Sequence, residues 1–138
     1  MRVLVDTGPL VAMLFPGDQF HETCTATLRE LSTPLYTSWP VLTEAAWLLQ
    51  KKPHLIERLL RGQSGGLFQT FAMQDQECDN LAVLLARYKD LRPQLADVTL
   101  VCLAHREDID TIFTLDRRDF SVYRTARNRP FRLLPSPE

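Results

Sequence analysis

Apolar positions in this chain follow two periods, and their alternation sets the expected architecture. Val3-Leu4-Val5 is a short unbroken apolar run closed by Asp6, which reads as a strand. Thr7-Gly8-Pro9 then opens a helix over Leu10 to Phe15, with Pro9 at its first position and Pro16-Gly17 stopping it. Asp18 caps a second helix whose inward stripe is Phe20, Cys24, Leu28 and Leu31. Leu35 to Ser38 is a second strand. Ser38 and Pro40 start a helix through Gln50 that turns Val41, Leu42, Ala45, Leu48 and Leu49 inward. Lys51-Lys52-Pro53 breaks the pattern, and His54 to Arg61 forms a short helix ended by Gly62. Leu67 to Met73 alternates weakly and is the third strand, although the adjacent Gly65 and Gly66 blur where it starts. Asp75 caps a longer helix to Lys89, with Cys78, Leu81, Ala82, Leu85 and Tyr88 inward.

The stretch from Leu95 to Phe120 organises the rest. Its helix is apolar on nearly every side until His105-Arg106-Glu107 and is therefore expected to be buried. Asp97 sits in its first turn, where an acid suits the helix dipole. Ile109 to Leu115, rich in β-branched and aromatic residues, is an interior strand, and Phe131 to Leu134 is a last edge strand. Short apolar strands separated by helices predict an α/β domain with a mainly parallel sheet of five strands. Ligands in such sheets bind at the carboxyl ends of the strands. Asp116 lies at that end of its strand.

Composition changes this picture little. A chain of 138 residues fits one domain spanning 1–138. A net charge of -1 makes no general electrostatic case for nucleic acid, but Arg117 to Arg132 carries six arginines against the single acid Asp119. Cys24, Cys78 and Cys102 are odd in number and far apart, so buried reduced thiols are expected and neither zinc nor a disulfide is. Arg2 and the following apolar run imitate a signal peptide, but Asp6 and Pro9 interrupt it. With no run long enough to span a bilayer, a cytoplasmic protein without membrane attachment is expected.

The chemistry lies in the acids. Asp6 and Asp116 follow strands, Asp97 opens a helix, and Glu44 stands one turn into the helix after the second strand. All four can face one edge of the sheet. Each alone has an ordinary explanation: Asp6 is a plausible helix cap and Glu44 a plausible surface residue. Together they repel unless a cation intervenes. A set made of oxygen donors suits Mg²⁺ or Mn²⁺ rather than zinc, and carboxylate-held divalent ions serve phosphoryl chemistry. Thr7, Ser38, Thr114 and Asp119 are candidates to orient these acids. Arg117 and Arg118, directly after Asp116, are candidates to contact the phosphates flanking a scissile bond.

The segments VLVDTGPLVAML, TSWPVLTEAAWLL, LADVTLVCLA and TLDRRDF, in that order, resemble the PIN-domain family, in particular VapC-type ribonuclease toxins. The resemblance covers nearly the whole chain. It implies a three-layer α/β/α domain with strand order 3-2-1-4-5 and Mg²⁺- or Mn²⁺-dependent endonuclease cleavage of RNA. It implies an acidic site of Asp6, Glu44, Asp97 and Asp116, with Asp6 and Asp97 the most constant metal ligands and Thr7 and Asp119 in support; Asp116 is expected as a third ligand, and Thr114 as a further supporting residue. A homodimer and a cognate antitoxin are the implied partners. Two other readings stay open: a PIN-like binding module without catalysis, and a DNA-directed nuclease of the same fold. An aspartyl phosphatase is disfavoured, because the position two after Asp6 is Gly8 rather than a second acid.

Overall fold

The protein's structure, a computed structural model, describes residues 1–137. In order the chain forms β1 (Leu4–Val5), α1 (Thr7–Leu14), α2 (His21–Glu30), β2 (Leu35–Thr37), α3 (Trp39–Leu48), α4 (Pro53–Ser64), β3 (Phe68–Thr70), α5 (Cys78–Arg87), α6 (Leu95–Glu107), β4 (Thr111–Phe113), α7 (Arg117–Phe120) and β5 (Arg132–Leu134). The strands form one sheet in the order β3-β2-β1-β4-β5, and every ladder is parallel. The architecture is the expected three-layer α/β/α domain. β1 has only two residues but holds the centre, pairing Leu4 with Tyr36 on one side and with Ile112 on the other. That position explains its composition: Val3, Leu4 and Val5 are all buried, as are Ile112 and Phe113 beside them. Helix α6 is buried from Val98 to Ala104 and packs against α3 and α5, which accounts for its apolar residues on all sides.

Several boundaries differ from those expected, each for a local reason. Helix α1 begins at Thr7 with Asp6 in the N-cap position, so Pro9 is the third helical residue rather than the first. Helix α4 does not stop at Gly62 but continues to Ser64. Its end is built by the two glycines that obscured the third strand. Gly66 adopts a left-handed φ of 85°, the Gly66 amide donates to the Gln63 carbonyl at 3.3 Å, and the Leu67 amide donates to the Gly62 carbonyl at 2.9 Å. This reciprocal pattern closes a helix where only glycine adopts the turn without strain. β3 follows within the expected segment.

The helix expected over Asp75 to Lys89 is divided. A 3-10 turn at Asp75–Glu77 is capped by Gln74 rather than Asp75, α5 covers Cys78–Arg87, and a second 3-10 turn covers Lys89–Leu91. Its inward stripe is shifted: Leu84 is buried, whereas Ala82 and Cys78 are exposed. Cys78 therefore departs from the buried thiol expected there, while Cys24 and Cys102 are buried. Phe20 and Leu48, both expected in the core, are also exposed. No helix among the described residues is long and apolar enough to cross a membrane.

Candidate active site

Three hydrogen bonds fix the carboxyl edge of the sheet before any charge is considered. The Asp6 amide donates to the Phe113 carbonyl at 2.9 Å, the Thr114 amide to the Leu134 carbonyl at 2.9 Å, and the Thr37 hydroxyl to the Val5 carbonyl at 2.9 Å. These tie the ends of β1, β2, β4 and β5 together, so the residues that follow leave from one rigid edge. There Asp6, Thr7, Gly8, Glu44, Leu48, Arg92, Gln94, Asp97, Asp116 and Asp119 line an open depression of about 320 Å³. All four acids expected in the site reach it, and Asp119 makes a fifth.

Asp6 forms the floor. It is 7% exposed, and its Oδ2 accepts from the Thr114 hydroxyl at 2.8 Å. The Thr114 oxygen in turn accepts from the Asp116 amide at 3.0 Å. One threonine thus holds both the buried acid and the backbone of a second. Burial raises the Asp6 carboxyl to about 6, against the downward pull of the Thr7 amide and the Thr114 hydroxyl, while the charges of Glu44 and Asp116 add to the rise.

Asp97 is half-buried in the first turn of α6. Burial, then the charge of Asp6, raises it to about 7, and Asp116 and Glu44 push the same way. The Tyr123 hydroxyl opposes this by donating to Asp97 Oδ2 at 3.2 Å. Tyr123 is fully buried and meets Phe120 and Tyr88 edge-on at ring distances of 5.0 and 4.9 Å, so its hydroxyl has a fixed direction. Sequence patterning gave no sign of this residue, which lies beyond the last acid in a segment without periodicity.

Asp116 is the N-cap of α7, its Oδ1 accepting from the Asp119 amide at 3.2 Å. This one-turn helix swings Asp119 back over the depression. Carboxylate oxygens of Asp97, Asp116 and Asp119 lie within 4.8 Å of one another. The tightest trio therefore includes Asp119, expected only in support, and leaves Asp6 beneath it. The Asp116-x-x-Asp119 spacing, an acid three residues after a capping acid, is the sequence signal for this. Asp119 is itself raised, by burial and by Asp116, with Arg118 pulling it down.

The other expected residues divide. Glu44 is half-buried at the rim on α3. Ser38 caps α3 at the Val41 amide and meets the Thr99 hydroxyl at 2.8 Å, so it joins α3 to α6 rather than touching an acid. Arg117 turns away, its guanidinium donating to the Leu133 and Pro135 carbonyls. Arg118 is exposed. Further along, Arg127 pairs with Asp108 at 3.6 Å and Arg124 donates to the Ser121 carbonyl at 2.7 Å.

The donor set fits a hard divalent cation. The clustered side chains offer oxygen only, and acids whose pKa values are raised by burial and by each other's charge are relieved by a positive ion. Thr7 contributes a further hint: its hydroxyl is buried in the lining without a hydrogen-bond partner among the described residues, an unfilled acceptor of the kind ordered water or an ion satisfies.

Comparison with known proteins agrees with this fold. The chain is 28% identical over 135 residues to Ribonuclease VapC26 of Mycobacterium tuberculosis, covering 96% of this chain and 100% of that protein. The crystal structure of Mycobacterium tuberculosis VapC20, described as a sarcin-ricin loop cleaving toxin, superposes with a TM-score of 0.77 at 17% identity, over 85% of this chain and 92% of that one. A toxin-antitoxin complex from Klebsiella pneumoniae superposes with a TM-score of 0.67 at 20% identity, over 88% and 92%. The family model for the PIN domain matches residues 3–127, and with the parallel sheet and its acidic carboxyl edge this establishes that the chain belongs to the PIN-domain family.

Proposed function

We propose that this protein is an endoribonuclease that uses Mg²⁺ or Mn²⁺ and acts as the toxin of a toxin–antitoxin pair. The observation that carries the reading is the convergence of Asp6, Glu44, Asp97, Asp116 and Asp119 on one open depression at the carboxyl edge of the sheet. Similarity over nearly its whole length to a ribonuclease supports RNA as the substrate, and the toxin-antitoxin neighbour supports a protein inhibitor that binds this chain. A homodimer in the cytoplasm completes the proposal.

Asp97, Asp116 and Asp119 are the nearest set of ligands, with Asp6 and Glu44 completing the charge around them. A divalent cation held there supplies positive charge against the phosphate and makes water a competent nucleophile near neutral pH. The chain's own groups do the remaining work. Thr114 keeps one oxygen of Asp6 engaged. Tyr123 holds the Asp97 carboxylate in one rotamer and favours its charged form. Asp6 and Asp97, at about 6 and 7, release protons when a cation binds. The openness of the depression suits a polymer entering sideways.

The test is cleavage of a mixed single-stranded RNA pool by purified protein with Mn²⁺, Mg²⁺ or EDTA, beside Asp6→Asn and Asp97→Asn and with single-stranded DNA in parallel. Cleavage of RNA should require metal and fall roughly a hundredfold or more in each variant, the scale of losing one electrostatic contact at a reacting centre. RNA left intact by a folded protein whose melting temperature ignores Mn²⁺ would refute the reading. Equal cleavage of DNA would replace RNA by nucleic acid in general.

A further inference from the structure

Among the described residues, Arg92 is the single basic one lining the acidic depression. It stands just past the 3-10 turn Lys89–Leu91 and three positions before α6 begins. Its backbone is left-handed, φ 50° and ψ 54°, although the side chain is branched only far from the backbone and Pro93 follows. A residue other than glycine or asparagine held in this region, and before a proline, marks strain that the surrounding structure maintains, and such strain concentrates at functional sites. The side chain is exposed and joins none of the ion pairs among the described residues. Arg92 thus borders five acids without pairing with any of them.

A polyanion nearing these acids meets repulsion wherever a cation does not shield it. An unpaired guanidinium on the rim offsets that repulsion and offers a planar fork to two phosphate oxygens. Arg117, expected from the sequence to meet phosphate, is committed to the carbonyls of Leu133 and Pro135. We propose that Arg92 grips the RNA phosphate adjoining the scissile one and fixes the strand over the acids. The inference rests on the ribonuclease reading.

The experiment compares wild type with Arg92→Lys, Arg92→Asn and Arg92→Gly on a labelled single-stranded RNA pool with Mn²⁺, following rate against RNA and KCl concentration. Asn and Gly both accept the left-handed backbone, so the fold is retained without the guanidinium. Both should raise KM by roughly tenfold or more, the scale of one charged hydrogen bond, while kcat stays within about threefold. The log–log dependence on salt should flatten by roughly 0.7, the loss of one phosphate contact. Lys should restore the salt slope but not the whole of KM. The rise in melting temperature given by Mn²⁺ should survive in all three. Unchanged KM and salt slope in Asn and Gly, with an active wild type, would overturn the role of Arg92 alone. So would loss of the Mn²⁺ effect in both, which would make Arg92 part of the cation site. Wild type that neither binds nor cleaves RNA would remove the ribonuclease reading and this inference with it.

Discussion

At the scale of single residues, one hydroxyl decides how Asp97 ionises. Burial and the charge of Asp6 push its carboxyl up to about 7, and the Tyr123 hydroxyl is the contact that pulls it down. Tyr123→Phe keeps the ring between Phe120 and Tyr88 and removes only that donor. Asp97 should then hold its proton to higher pH. In cleavage at limiting Mn²⁺, the acid limb of the pH–rate profile should move up by roughly 0.5–1 pH, what a hydrogen bond of modest net worth to the charged form commands. An unmoved limb would show that Tyr123 only fills space. The same reasoning explains why Tyr123 was invisible in the sequence. Its role depends on where a loop returns in space, and no periodicity records that.

At the scale of elements, α4 shows two opposed preferences. Gly62 lies inside the helix, where alanine is favoured by about 1 kcal/mol. A methyl group at Gly62, however, would stand 2.7 Å from a ring carbon of Phe68, which is 2% exposed at the start of β3. Overpacking of a buried ring costs roughly 1–3 kcal/mol, so the clash should win. Gly62→Ala is expected to lower stability to denaturant by up to about 2 kcal/mol once the helical gain is subtracted, and a gain would mean that β3 can shift freely on α4. The sequence displayed Gly62 as a stop, because a glycine that ends a helix and one that admits a neighbour look alike in one dimension. Strands, by contrast, were legible as short apolar or β-branched segments, the one within Leu67 to Met73 least clearly, and α6 as a helix without a polar face. The acids were legible because Asp6 and Asp116 follow strands directly, and a parallel sheet sends all such ends to one edge. Asp119 and Arg92 entered through a one-turn helix and a left-handed turn, whose directions arise only from backbone geometry.

At the scale of the whole molecule, the acid cluster opposes folding at neutral pH. Asp6 and Asp97 rise from the ordinary 3.8 to about 6 and about 7, so between those limits the folded chain binds more protons than the unfolded one. Unfolding then releases protons, and stability falls as pH rises through that window. Metal-free protein in EDTA should melt several degrees higher at pH 5 than at pH 7.5. Asp97→Asn should flatten the difference, and Mn²⁺ should recover the loss at pH 7.5. A flat profile in wild type would contradict the crowding of charge described above. Synthesis adds a temporal side to the same arrangement. β1 is made first yet lies in mid-sheet, and its second neighbour is β4, beginning at Thr111. Asp6 therefore emerges from the ribosome long before Asp97, Asp116 and Asp119, and Thr114, which engages it, arrives more than a hundred residues later. The acids can therefore meet only after translation has passed Asp119, and until then Asp6 stands at the end of its strand without the neighbours that raise its pKa.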